Sequence, residues 1–288
     1  MNTRIAVITG ASSGLGSIYA KVVDKSKNLD EIWLIARRED KLRELAKTLT
    51  HTTKVLPLDL TKNASIDRFK SALAERAKRS PFEELARAGN GAGSAAPESG
   101  AASYSAEVSV FINCAGFGKI GNYKTVLQED SDNMIELNCR SAVDLTLAVL
   151  PYMRKGGRII QIASASAFQP VQQLAVYGAT KAFLVSWSRA LRWELFPRGI
   201  RVTAVCPYWM RGTEFIKNAE KNGGRTSHAV RNFLFGDIPV VVVYVSLLAV
   251  SLNLPVVTPG IMSLAHRIAA KFIPHEIMQA GWEGWRRI

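Results

Sequence analysis

Tyr177 and Lys181 stand four residues apart in Tyr177-Gly178-Ala179-Thr180-Lys181, opening an apolar helical run through Phe183, Trp187, Leu191 and Leu195. That spacing is one helical turn, so the two side chains project from the same face. A phenol with an ordinary pKa of ~10 is a poor proton donor or acceptor near neutrality, and a close ammonium favours its phenolate. The pair suits proton transfer to or from a developing alkoxide. Taken alone, Tyr-x-x-x-Lys arises often by chance, and its meaning rests on what accompanies it.

A second group of residues suits phosphate. Thr9-Gly10-Ala11-Ser12-Ser13-Gly14-Leu15-Gly16 follows the apolar run Ile5-Ala6-Val7-Ile8 and precedes a helical stretch from Ser17 to Asp24. Glycines at a strand-to-helix junction let the backbone turn sharply and approach a pyrophosphate, and the helix N-terminus presents unpaired N–H groups. About twenty residues further on, where an NAD-selective fold places Asp or Glu on the ribose 2′-hydroxyl, the chain reads Ala36-Arg37-Arg38. Guanidinium groups there suit a 2′-phosphate, which favours NADP(H) as cofactor. Plain solvation is the alternative for Arg38, and less so for Arg37.

Read in order, Thr9-Gly10-x-x-x-Gly14-x-Gly16, Asn113-Cys114-Ala115-Gly116 and Tyr177-x-x-x-Lys181 resemble the motifs of the short-chain dehydrogenase/reductase family, over roughly residues 4–215 and more loosely beyond. The resemblance implies cofactor contacts at Gly10, Ser12, Ser13, Gly14, Leu15 and Gly16, with Asp59 and Leu60 at the adenine ring. It assigns Asn113, Ala115 and Gly116 to strand bracing and cofactor approach. Cys114 replaces the motif's second Asn and reads as a small buried residue rather than a reactive thiol. The family's catalytic serine stands thirteen residues before the tyrosine, which selects Ser164 over Ser166. Asn138 resembles the family's fourth active-site residue, which holds a water near the lysine; a helix-surface asparagine is the alternative.

These roles imply a nicotinamide oxidoreductase acting on a small-molecule carbonyl or alcohol. Ser164 would bond the carbonyl oxygen, Tyr177 would donate the proton, and Lys181 would bind the nicotinamide ribose and favour the tyrosinate. After the sixth strand the family shows Pro-Gly and then a threonine near the carboxamide. Here Pro207 is followed by Tyr208, and Thr213 is a poorer match. Tyr208, Trp209 and Met210 suggest an apolar pocket for a substrate such as a steroid or acyl compound. A non-catalytic NADP(H)-binding sensor or scaffold and a membrane-associated lipid reductase are the competing readings. The helix carrying Tyr177 commonly packs against another subunit in this family, which implies a homodimer or homotetramer.

The elements that must position these residues recur as seven short apolar runs beginning near Ile5, Glu31, Lys54, Val108, Arg158, Arg201 and Leu254. Helical patterns such as Asp40 to Thr48, Ile66 to Ala77 and Asp132 to Leu150 lie between them, the pattern of a doubly wound, mainly parallel seven-stranded α/β sheet with helices on both faces, the Rossmann fold. A single domain over residues 1–288 accounts for the length. Residues 87–106, rich in Gly, Ala and Ser, read as a surface insertion, and residues 208–288 as a variable substrate and lid region. From Ile238 to Ala265 no residue is charged, yet Pro255 and Pro259-Gly260 interrupt the stretch, so a buried helix plus last strand is preferred to a membrane segment. Ile261 to Ile273 is amphipathic, and the tail with Trp282, Trp285, Arg286 and Arg287 reads as a lid rather than a membrane-surface segment.

Composition excludes other classes. The net charge of +13 is spread over helix surfaces and accompanies no nucleic-acid module, so no nucleic-acid partner is expected. Cys114, Cys139 and Cys206 form no CxxC pair, as expected of a reduced, cytoplasmic protein. His51, His228, His266 and His275 show no ligand spacing, and no metal is expected.

Overall fold

Runs of β-branched and aliphatic residues alternate with amphipathic segments, and the chain folds accordingly in a computed structural model that describes residues 2–77, 105–222, 225–226 and 235–286. The first half comprises β1 (Thr3–Thr9), α1 (Gly14–Val23), β2 (Glu31–Ala36), α2 (Glu39–Ala46), β3 (Thr52–Pro57), α3 (Asn63–Ala77) and β4 (Ala106–Asn113). There follow α4 (Gln128–Ile135), a π-helical turn (Glu136–Arg140), α5 (Ser141–Val149), β5 (Arg158–Ile162), α6 (Ala175–Glu194) and β6 (Arg201–Val205). The remainder holds α7 (Glu214–Ala219), the short antiparallel pair β7 (Lys221–Asn222) and β8 (Arg225–Thr226), α8 (Pro239–Ser251), β9 (Val256–Val257), α9 (Ile261–Phe272) and α10 (His275–Trp285).

The large sheet has seven strands in the order β3-β2-β1-β4-β5-β6-β9, all paired in parallel. Alternation along each strand divides the core. Val7, Trp33, Phe111 and Ile159 face α3, α5 and α6, while Ile8, Leu34, Ile112 and Ile160 face α1, α2 and α8. Strand order reverses direction between β1 and β4, the point at which doubly wound sheets open a crevice beyond their strand ends.

Two expectations need adjustment. The last strand is only Val256–Val257, and the uncharged helix before it is buried on one face, through Val242, Val243 and Val250, while Val240, Val241, Tyr244 and Leu248 are exposed. No helix among the described residues is long and apolar enough to cross a membrane. The Gly/Ala/Ser-rich segment lies outside the described residues except for Ser105 and Ala106, the latter opening β4.

One buried polar chain crosses this aliphatic interior. Thr9 Oγ1 donates to Asn113 Oδ1 at 2.9 Å, Asn113 Nδ2 to Gln161 Oε1 at 2.9 Å, Gln161 Nε2 to Thr146 Oγ1 at 2.8 Å, and Thr146 Oγ1 to the Ala142 carbonyl at 2.7 Å. It links β1, β4, β5 and α5. Thr9 Oγ1 also accepts from the Cys114 and Ala115 N–H groups, at 3.0 and 2.9 Å. Removing a central member leaves buried polar neighbours unpaired, which costs more than one hydrogen bond is worth. Gln161→Leu is therefore expected to destabilise the fold by about 2–3 kcal/mol, read as a fall of several degrees in Tm by circular dichroism; an unchanged Tm would contradict the role given to this chain.

Candidate active site

The loops that follow β1, β4, β5 and β6 converge at the C-terminal edge of the sheet around a cavity of about 850 Å³. At its phosphate end the backbone is too crowded for a side chain at two glycines, Gly10 and Gly16. Gly10 has φ +66°, and a Cβ there would sit 2.9 Å from the Ala115 nitrogen and the Cys114 carbonyl oxygen. A Cβ on Gly16 would lie 2.3 Å from the Gly10 carbonyl oxygen, so Gly16 seats α1 against the turn rather than lining the cavity. Ser12, Ser13, Gly14 and Leu15 do line it, and Ser13, at the N-cap of α1, makes no side-chain bond to the helix. These features fit a pyrophosphate held by backbone N–H groups.

Arg37 and Arg38 line the same cavity beyond β2. Arg38 is not merely solvated: its Nε donates to Ser12 Oγ at 3.3 Å and its Nη1 to Glu214 Oε2 at 3.0 Å. The Arg38–Glu214 pair is half exposed and hence weak, leaving the guanidinium available to a competing phosphate. Asp59 accepts from Thr61 through Oδ1 in a local turn, with Leu60 buried beside it, and both border the cavity.

At the other end, the extended backbone at Ser164 turns into a short 3-10 segment, Ala165–Ala167. Ser164 Oγ accepts from the Ser166 N–H at 3.2 Å and lies 3.0 Å from Ser166 Oγ, so Ser166 orients its neighbour. Ser164 also hydrogen-bonds the Tyr177 hydroxyl. Lys181 reaches in from the next turn of α6, donating from Nζ to the Ile162 carbonyl at 2.9 Å and lying 5.7 Å from the centre of the Tyr177 ring. Tyr177 and Lys181 are 7% and 4% exposed, and this burial corrects the simple expectation of an ammonium that lowers the phenol. Desolvation prevails: it pushes Tyr177 up to about 12 against the opposing Ser164 hydrogen bond, and Lys181 down to about 8 against neighbouring thiol groups.

Behind these residues, Asn138 lies in the π-helical turn and is buried, not on a helix surface. Its Oδ1 accepts from the Phe117 N–H at 3.1 Å, while Nδ2 donates to the Phe117 carbonyl at 2.9 Å and to Thr180 Oγ1 at 3.0 Å. It thereby pins the loop after β4 to α6. A Cβ on Gly116 would lie 3.0 Å from Asn138 Oδ1 and 3.2 Å from Lys181 Nζ, so a side chain there would press on both groups. Ala115 and Gly116 border the cavity, whereas Asn113 lies beneath it in the polar chain. Sequence reasoning missed Gly118, where a Cβ would stand 2.7 Å from Tyr177 Cδ2; the repeated glycine in Gly116-Phe117-Gly118 was its one signal.

Beyond β6, Tyr208 adopts no left-handed backbone, so the turn dispenses with the glycine. Its N–H donates instead to Asp237 Oδ2 at 2.7 Å, and the Asp237 N–H bonds the Trp209 carbonyl at 2.6 Å. Gly260 packs directly on that carboxylate, where a Cβ would clash with Oδ1. Nothing local in the sequence flags Asp237, because its partner is far along the chain. Thr213 borders the cavity with its hydroxyl turned to the Met210 carbonyl at 3.3 Å. Tyr208, Trp209 and Met210 line the wall, and Trp282 returns from α10 to close it, donating from Nε1 to the Gln172 carbonyl at 3.1 Å. Among the described residues no cluster of His, Cys, Asp or Glu could hold a metal ion.

Comparison with known proteins gives this arrangement a context. The family model described as short chain dehydrogenase matches residues 4–80 and 94–223. An uncharacterized oxidoreductase of Staphylococcus epidermidis is 32% identical over 237 residues, which is 79% of this chain and 89% of that protein. The inactive hydroxysteroid dehydrogenase-like protein 1 of Homo sapiens is 32% identical over 211 residues, 72% of this chain and 56% of its own length. Among solved structures, a short-chain dehydrogenase from Sphingobium yanoikuyae in complex with NADPH superposes with TM-score 0.71 at 25% identity, covering 96% of this chain and 95% of the other. The closed form of a serine dehydrogenase complexed with NADP+ gives 0.67 at 26% identity, covering 88% and 93%. Motif order, strand order and these matches agree: the chain belongs to the short-chain dehydrogenase family of nicotinamide-dependent oxidoreductases.

Proposed function

We propose that the chain is an NADP(H)-dependent oxidoreductase that interconverts a carbonyl and an alcohol on an apolar substrate. The observation that carries this reading is the convergence of Ser164, Tyr177 and Lys181 on the same cavity that the glycine turn, Arg37 and Arg38 line. Bound there, the nicotinamide supplies or accepts the hydride. Ser164 Oγ accepts from the Ser166 N–H and bonds the Tyr177 hydroxyl, and its hydrogen turns from Tyr177 to polarise a carbonyl oxygen that comes to lie between the two hydroxyls. Tyr177, pushed up to about 12, holds its proton near neutrality and delivers it as negative charge develops on that oxygen. Lys181 is an ammonium below about pH 8 and stabilises the tyrosinate left behind. Oxidation runs the same proton path in reverse. Asn138 acts as a positioning residue, holding the Gly116–Gly118 backbone against Tyr177 and Lys181.

Arginines in place of a carboxylate after β2 support the phosphorylated cofactor, and the NADPH and NADP+ complexes of the similar structures agree with that choice. The aromatic and aliphatic wall supports a hydrophobic substrate such as a steroid or acyl compound. Exposed Phe183 and Trp193 on α6, with the bare face of α8, support a homodimer or homotetramer. Three free cysteines fit a reducing compartment such as the cytoplasm.

Parallel titrations with NADPH and NADH, followed by tryptophan fluorescence, are expected to show at least about tenfold tighter NADPH binding; equal affinity would refute the roles of Arg37 and Arg38. Tyr177→Phe is expected to lower kcat by about 10²–10⁴-fold with NADPH affinity unchanged. Loss of the Lys181 proton sets the pH response: kcat/KM for NADPH in the reduction direction is expected to be level below about pH 8 and to fall as pH rises through it, a limb that Lys181→Met removes. Gly118→Ala drives a methyl against the Tyr177 ring and is expected to cost about 10–100-fold in kcat, again without loss of NADPH binding.

A further inference from the structure

Gln169 and His266 stand in the wall of the active-site cavity, and neither the hydride-transfer groups nor the nucleotide contacts use them. Gln169 is 7% exposed, and its side-chain oxygen has no hydrogen-bond partner. His266 Nε2 is likewise buried without one. Both border one cavity: Gln169 follows the 3-10 segment that leaves Ser164, and α9 packs on that segment with the His266 ring 6.4 Å from that of Phe168, the residue before Gln169. The same wall carries the aromatic side chains of Phe117, Trp209 and Trp282.

Burying a carboxamide oxygen or an imidazole nitrogen without a hydrogen bond is unfavourable, and folded proteins keep few such atoms. A half-turn of the Gln169 carboxamide exchanges its ends with little change of shape, so a donor or an acceptor can face the cavity. Burial lowers the His266 pKa and favours the neutral ring, which carries one donor and one acceptor. A hydroxyl group is the complement of such a pair, since it donates one hydrogen bond and accepts another.

We infer that Gln169 and His266 form a recognition subsite for a hydroxyl group carried by an otherwise apolar substrate, remote from its reacting carbonyl. This deepens the oxidoreductase reading and rests on it for the identity of the reacting end. Gln169 stands five positions after Ser164, beyond the 3-10 segment Ala165–Ala167, so the hydroxyl it would bind belongs to a different part of the substrate from the reacting carbonyl. The substrate class is thus a hydrophobic hydroxy-ketone, or the corresponding diol.

The test compares 4-(4-hydroxycyclohexyl)cyclohexanone with 4-cyclohexylcyclohexanone, which lacks the distal hydroxyl. Affinities are measured by calorimetry, with and without NADP+, so that failure of NADPH-dependent turnover or of cofactor binding tells against the oxidoreductase reading without obscuring this one. The wild type is expected to prefer the hydroxylated probe by at least about tenfold. In both Gln169→Leu and His266→Phe that preference falls to near unity, the affinity for the deoxy probe is kept, and Tm stays level or rises because an unpartnered buried polar group has gone. Equal affinity of the wild type for the two probes, a preference that survives in both variants, or a lowered Tm in both would overturn the inference.

Discussion

Three polar side chains, Thr9, Asn113 and Gln161, enter the middle of an aliphatic sheet and spend their hydrogen-bonding capacity on one another, on Thr146 and on the backbone of the loop after β4. In a low-dielectric interior such a chain is stable only when every member is matched, so it tolerates one register of β1, β4 and β5. That register is what sets the two sides of the crevice opposite each other. The glycine turn after β1 then meets the Ala115 backbone closely enough that Gly10 has no room for a side chain, and the phosphate end and the proton-transfer end of the cavity acquire a common frame.

Within that frame, burial and charge oppose each other around Lys181. The ammonium lies among Cys114, Cys139 and Cys206 and bonds the Ile162 carbonyl, and desolvation lowers its pKa toward the working range while raising that of Tyr177. The thiols do not compete for this chemistry. Desolvation raises all three, Cys114 and Cys206 to about 12, so they stay neutral, although Cys114 is part-buried and borders the cavity rather than being fully buried as expected. A protonated phenol beside a readily titrated amine is a proton donor whose conjugate base is stabilised only when the amine is charged. This coupling makes pH the variable that separates the role of Lys181 from that of Ser164.

The remainder of the cavity is assembled from distant parts of the chain. Asp237 holds the Tyr208 turn, Gly260 closes on Asp237, and Trp282 comes from the last described helix to meet Gln172. Each of these contacts is between segments far apart in sequence, and each shapes the substrate wall rather than the reacting groups. Chemistry and selectivity are therefore built on largely separate supports: the former on the ends of the central strands and on α6, the latter on the segments after β6.

Sequence alone determined the parts that obey local rules. The alternation of apolar runs and helical patterns carried the doubly wound sheet, because strand burial and helix amphipathicity are written in short periods. The glycine turn, the paired arginines and the one-turn spacing of Tyr177 and Lys181 were legible because a few neighbouring residues suffice to state their geometry. Tertiary structure decided what depends on distance and burial: the engagement of Arg38 by Ser12 and Glu214, the partners by which the buried Asn138 braces the loop after β4, the contact of Gly118 with the Tyr177 ring, and the replacement of a glycine turn by an Asp237 contact. It also reversed the expected direction of the Tyr177 shift, since spacing reports the approach of a charge but desolvation is a property of everything packed around it.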